Sequence, residues 1–189
     1  MKIVSHTSDF IHRLFFAIRL DHASAVAAAA LGAKLHSRRL QAEDRLHITL
    51  HWLRDHASLP AELVTVAMAA GGRVDMAPFD VVFDRAETLH GPQEVGPLVL
   101  KGSTGLIALR RFQRALGDAM RDAGIGHLAR STFKPHVTLA YAGRAIDTQA
   151  IDPIRWTVKE FFLIHSVLGE SKHIVLGRWP LCVRQLDLC

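Results

Sequence analysis

H-I-T-L at His47 to Leu50 is answered about ninety residues later by H-V-T-L at His136 to Leu139, and this pair of runs decides how the chain is read. Successive side chains of a β-strand point to opposite faces. The His and Thr of each run therefore share one side, while Ile48 and Leu50, or Val137 and Leu139, share the other. One face is chemical and the other apolar. Each copy follows a helix-containing stretch, the footprint expected of two similar α/β lobes that each lend a strand to a common cleft.

Two imidazoles and two hydroxyls in one cavity are the kit for breaking a phosphodiester. In-line attack needs a base for the attacking water and an acid for the departing alkoxide. Histidine, with an unperturbed pKa of about 6.5, serves either role near pH 7. Threonine hydroxyls and nearby cations hold the non-bridging oxygens. The chemistry demands no metal and no cofactor. A single H-x-T-L arises by chance in many proteins, but two copies in matching strand contexts of a small basic chain favour the functional reading. His47 and His51 read as an i, i+4 zinc pair would require a helix; β-branched Ile48 and Thr49, with no intervening glutamate, argue against it.

Outward from the motifs, R-L-F-F-A-I-R-L at Arg13 to Leu20 suits a buried strand. Asp21 or Ser24 can cap the alanine-rich helix that runs to Leu35. Pro60 opens a second helix that stops at Gly71-Gly72. Phe79–Phe83 and Val95–Leu100 read as strands separated by the turn-prone Gly91-Pro92. Leu106, Leu109, Phe112, Leu116 and Met120 have helical spacing, with Arg110, Arg111, Arg114 and Arg121 on the solvent side and Gly124 at the end. His136–Tyr141, Trp156–Leu168 and His173–Leu181 have strand character.

The chain has 189 residues, 49% hydrophobic and 22% charged, with a formal net charge of +5 and a pI near 9.7. This is the balance of a globular protein with a taste for anions. Cys182 and Cys189 are the two cysteines, so neither a disulfide framework nor a spaced zinc pair is expected, and a reducing compartment fits. No apolar run reaches the roughly 20 residues that span a bilayer, so a cytoplasmic protein without membrane contact is expected.

At the quoted residues the sequence resembles the two-histidine (2H) phosphoesterases, most closely the bacterial RNA 2′,3′-cyclic phosphodiesterases once described as 2′-5′ RNA ligases. The resemblance covers nearly the whole chain: R-L-F-F-A-I at Arg13 to Ile18, H-I-T-L-H-W-L at His47 to Leu53, F-K-P-H-V-T-L at Phe133 to Leu139, and the closing run from Phe161 to Leu181 with Ser166 and Trp179-Pro180-Leu181. It implies an α+β fold over residues 1–189 as one bilobal, pseudo-symmetric domain. Each lobe is an antiparallel sheet with outer helices, and the lobes flank a central groove. It carries His47, Thr49, His136 and Thr138 over as the catalytic and phosphate-binding set. The reaction implied opens a 2′,3′-cyclic phosphate at an RNA 3′ end to a 2′-phosphate, with His136 as base and His47 as acid, roles that can be exchanged. RNA ends or cyclic nucleotides are the expected partners, and a monomer the expected state.

Two positions depart from the resemblance. Relatives commonly place an arginine directly after the second H-x-T-L-x, where this chain has Tyr141, with Arg144 three residues on. A phenol donates one hydrogen bond but brings no charge. His173 stands where relatives often carry an aromatic, and the surface is its expected place. Trp52 matches an aromatic position that can stack on a base. Simple alternation puts it on the core side with Ile48 and Leu50, and a bulge would be needed to turn it into the groove. Phe15 and Phe16 split across their strand, one toward the groove and one toward the core. Lys134 and Arg130 flank the second motif and are better placed to steer an RNA end than Arg110, Arg111 and Arg114. Two other readings stay open: a 2′-5′ RNA ligase or phosphodiesterase using the same histidines, and a non-catalytic RNA-binding module.

Overall fold

The computed structural model describes residues 11–35, 38–90, 95–141, 145–170 and 172–182. In chain order these form β1 (His12–Arg19), α1 (His22–Leu35), a 3-10 turn (Glu43–Arg45), β2 (His47–His56), α2 (Ala61–Gly71), β3 (Phe79–His90), β4 (Val95–Lys101), α3 (Ile107–Asp122), a second 3-10 turn (Gly126–Leu128), β5 (Val137–Ala140), β6 (Gln149–Val158), β7 (Glu160–Val167) and β8 (Lys172–Pro180). Asp21 caps α1, its carboxylate accepting from the Ser24 amide at 2.8 Å. α3 ends before Gly124, whose φ of +84° is left-handed.

All strands pair antiparallel in one sheet of order β6-β3-β4-β5-β2-β1-β7-β8. The order divides into two four-strand halves, and each half contains one strand–helix–turn–strand unit: β1-α1 through β2, and β4-α3 through β5. The halves meet where β2 lies beside β5, with Ile48 opposite Val137. The pseudo-two-fold expected from the repeated motif therefore passes between its two copies. This is the mixed, helix-backed antiparallel architecture that the sequence implied.

The apolar face of the sheet carries Leu14, Phe16, Ile18, Ile48, Leu50, Val137 and Leu139, and the helices cover it. Burial of these side chains is the main driving force for the fold. α2 packs against β7 and β8 where Gly71 meets the Trp179 ring; a Cβ at Gly71 would lie 2.5 Å from that ring, so only glycine lets the helix come so close. The opposite face carries a small cluster of Phe15, Ala17, Phe162 and Ile164, with Trp52 packed against it.

The stretch Trp156–Leu168, expected as one strand, is the end of β6 followed by β7, with a break at Lys159. β6 begins at Gln149, where polar residues and Pro153 hide it. It is an edge strand, and there a proline costs no ladder hydrogen bond. The expected turn at Gly91-Pro92 lies outside the described residues. Among the described residues no helix is long and apolar enough to cross a membrane.

Candidate active site

Each H-x-T-L strand carries a one-residue bulge at its leucine. β1 and β2 pair Phe16 with His51 but Ala17 with Thr49, which leaves Leu50 as the extra residue. β4 and β5 pair Leu98 with Ala140 but Val99 with Thr138, which leaves Leu139 extra. A bulge puts two consecutive side chains on one face and re-aims the side chains beyond it. Leu50 and His51 are accordingly both buried, as are Leu139 and Ala140. The next residues, Trp52 and Tyr141, reach the groove. Trp52 is thus not on the core side where simple alternation places it.

The antiparallel register about Ile48 and Val137 sets His47 alongside Thr138 and His136 alongside Thr49. The two imidazoles are held in the same way. His47 Nδ1 bonds the Arg45 carbonyl at 2.7 Å, and His136 Nδ1 bonds the Lys134 carbonyl at 2.8 Å. A carbonyl only accepts, so each Nδ1 carries the proton and each Nε2 is left for the groove. Both histidines and both threonines line one cavity of about 400 Å³ with Phe15, Trp52 and Tyr141. A larger cavity of about 630 Å³ between α1 and β6 contains no histidine and only Lys34 and Asp152 as charged groups, so size does not locate the chemistry.

His47 is the more enclosed of the pair. Phe15 stacks on its ring at 5.0 Å, and His173 packs edge-on at 5.3 Å. Burial pushes the His47 pKa down to about 4; the Arg45 carbonyl opposes this, and His136, Arg19 and Arg45 add to it. His173 is pushed down to about 3, by burial and then by His47, Arg45 and Arg19. His173 therefore faces the groove side rather than the surface expected for it. The reason is cross-strand: β8 pairs His173 with Ser166, and β7 pairs Ser166 with Arg13 of β1, so His173 shares a face with Phe15.

His51 faces away from His47. Its Nδ1 accepts from the Arg130 amide at 3.0 Å, which leaves Nε2–H to donate to the Gln113 carbonyl at 2.9 Å. Both nitrogens are occupied in tying β2 to α3 and to the loop before β5, a structural role. Among the described residues no three His, Cys, Asp or Glu side chains group as metal ligands.

Phe15 lines the groove and Phe16 is fully buried, as their alternation requires. Lys134 and Arg130 both line the groove system beside His136. Arg144 lies outside the described residues. Arg110 reaches the same region, donating Nη1–H to the Phe133 carbonyl at 2.8 Å; Arg111 and Arg114 are exposed on α3. Sequence reasoning missed Arg13, which lines the central cavity and holds Asp55 through two hydrogen bonds of 2.8 Å. Asp55 in turn accepts from Trp52 Nε1 at 3.1 Å. The position of Arg13 at the head of the R-L-F-F run, on the face of Phe15, was the available signal.

A family model described as the 2′-5′ RNA ligase superfamily matches residues 19–170. Among solved structures, TT0787 of Thermus thermophilus has a TM-score of 0.75 at 22% identity, covering 92% of this chain and 100% of that one; its likeness is one of fold. A structure described as a phosphoesterase has a TM-score of 0.71 at 26% identity, covering 90% of this chain and 98% of its own. E. coli LigT complexed with 3′-AMP has a TM-score of 0.68 at 25% identity, with coverages of 91% and 98%. No curated protein matches the chain.

Proposed function

The chain belongs to the 2′-5′ RNA ligase superfamily of 2H phosphoesterases, and we propose that it opens the 2′,3′-cyclic phosphate at RNA 3′ ends to a 2′-phosphate. The observation that carries this reading is the reciprocal placement of the motifs, each histidine alongside the other motif's threonine with its Nδ1 held by a carbonyl. Two Nε2 atoms then flank one phosphate position, the geometry that in-line displacement needs. The 3′-AMP complex of LigT, a phosphate on a 3′ oxygen, supports the substrate class.

In the proposed reaction His47 is the base and His136 the acid, the reverse of the assignment made from sequence. Burial holds His47 neutral, so its Nε2 accepts the proton of the attacking water. The water oxygen bonds to phosphorus, the bond from phosphorus to O3′ breaks, and His136 delivers a proton to O3′. Thr49, Thr138 and Arg130 meet the non-bridging oxygens.

A second reading, formation or cleavage of a 2′-5′ linkage, draws on Trp52 and Tyr141. They stand at equivalent positions of the two motifs and offer a ring from each half. The deciding experiment assays cyclic nucleotides and 2′-5′ and 3′-5′ dinucleotides in EDTA, with the product phosphate located by NMR. The proposal expects cyclic phosphate opened to the 2′-phosphate and loss of activity in folded His47→Ala and His136→Ala. Full activity in both variants would remove the histidines from the chemistry.

A further inference from the structure

The hydrogen bonds that tie β2 to α3 close into a ring around one residue, Arg130. Its amide donates to His51 Nδ1 at 3.0 Å, His51 Nε2–H donates to the Gln113 main-chain carbonyl at 2.9 Å, and the Gln113 side-chain amide donates to the Arg130 carbonyl at 3.0 Å. Both polar groups of the Arg130 main chain are therefore fastened by side chains. Those side chains are 1% and 3% exposed, whereas Arg130 is an exposed residue.

Burying an imidazole and an amide costs free energy that only a fully satisfied set of hydrogen bonds offsets. Leucine at either position would carry no such cost. What the polar pair adds is a defined place for residue 130, and α3 leaves room for it at Gly117, where a Cβ would lie 3.3 Å from His51 Cε1.

From this anchor the Arg130 side chain enters the groove. Its guanidinium lies 5.4 Å from the Trp52 ring centroid, and it lines both cavities that contain Thr49 and His136. It forms no ion pair among the described residues, so its charge is available to an anion. Consecutive residues of β2 thus hold Arg130 at its two ends, His51 at the main chain and Trp52 at the guanidinium. A cation placed in advance loses less freedom on meeting its ligand than one on an untethered loop.

Resting on the function proposed above, we propose that His51 and Gln113 are positioning residues for that reaction: they fix the Arg130 main chain so that its guanidinium stands ready for the non-bridging oxygens of a phosphate between the histidines. They act through Arg130 and do not touch the substrate.

A double-mutant cycle separates positioning from general support. Arg130→Gln removes the charge, His51→Leu removes the ring nitrogens, and Gln113→Met removes the side-chain donor at similar length. For each folded variant, kcat/KM for a 2′,3′-cyclic nucleotide and Kd for adenosine 3′-monophosphate are measured. His51→Leu and Gln113→Met are each expected to weaken both about fivefold in the wild-type background and less than about twofold in the Arg130→Gln background, because residues of one network are not additive. His51→Asn, whose Oδ1 replaces Nδ1 as acceptor, should restore most of the loss. Gln113→Met decides the matter alone if His51→Leu does not fold. Losses of equal size with and without Arg130, or an Asn variant no better than the Leu variant, overturn the positioning role. A protein that opens no cyclic phosphate but shows the cycle in Kd keeps the positioning role and overturns the proposed reaction. Turnover with additive losses does the reverse.

Discussion

The rings of His47 and His173 meet edge-on, with centroids 5.3 Å apart and planes at 71°. Phe15 closes a second side of His47 and touches His173 as well, at 5.6 Å. This enclosure is the main cause of the lowered His47 pKa, because a charged imidazole there loses its water. The acidic limb of kcat/KM, which reports the free enzyme's base, is therefore expected near pH 4 rather than near 6.5. His173→Ala lets water in and should move that limb upward. His173→Phe keeps a ring in place and should leave it low. An identical limb in all three proteins would remove His173 from any role in setting the base.

Acid should unfold the protein through the same histidines. His51 is 1% exposed with both nitrogens bonded, and burial lowers its pKa. His47 and His173 shift the same way. For a histidine whose folded pKa is depressed, the unfolded chain binds the proton first. Its stabilising contribution is complete above about pH 6.5 and is lost as the pH falls toward the folded value. A slope of about 1.4 kcal/mol per pH unit is the ceiling for one such group, and the partly exposed His173 contributes less. The urea midpoint is expected to be lower at pH 5 than at pH 7.5, and equal midpoints would contradict the assignment of neutral, enclosed imidazoles.

How much of this was legible in the sequence depends on whether the signal was local. β1, α1, β2, α2 and α3 follow from runs and spacings within one segment, and the pairing of the two H-x-T strands from their repetition. Trp52 was ambiguous because a bulge at Leu50 changes the phase of the strand, and nothing in H-I-T-L-H-W announces it. The mirror bulge at Leu139 shows why the repeat extends to a sixth position, with Trp52 in one copy and Tyr141 in the other. His173 was misplaced because its neighbourhood is made by two successive strand pairings, β8 with β7 and β7 with β1.

Tyr141 is 46% exposed at the rim of the central cavity and brings no charge there. Arg13, the nearby guanidinium, is committed to Asp55. A charged donor added at this rim gains a charge-assisted bond to phosphate of about 1.5–3 kcal/mol at full strength. Solvent at an exposed site reduces that gain. Tyr141→Arg is therefore expected to lower KM for a cyclic phosphate by about fivefold. An unchanged KM would mean that Arg130 already satisfies the phosphate.

Trp52 lines the central cavity and is held there by two neighbours. The Arg130 guanidinium lies 5.4 Å from its ring centroid, and Nε1 is tied to Asp55, whose carboxyl is kept below the usual range by Arg13 and then by Trp52 itself. The residue is half-buried and packs against the small Phe15 cluster on the groove face. Stacking a base on an aromatic ring contributes about 1–3 kcal/mol, which corresponds to roughly 5- to 150-fold in affinity. Trp52→Ala should raise KM for a cyclic nucleotide within that span, and Trp52→Phe should recover most of it because the ring, not the indole N–H, meets the base. If Trp52→Ala leaves KM unchanged, the ring only supports Arg130 and Asp55, and the base lies elsewhere in the groove.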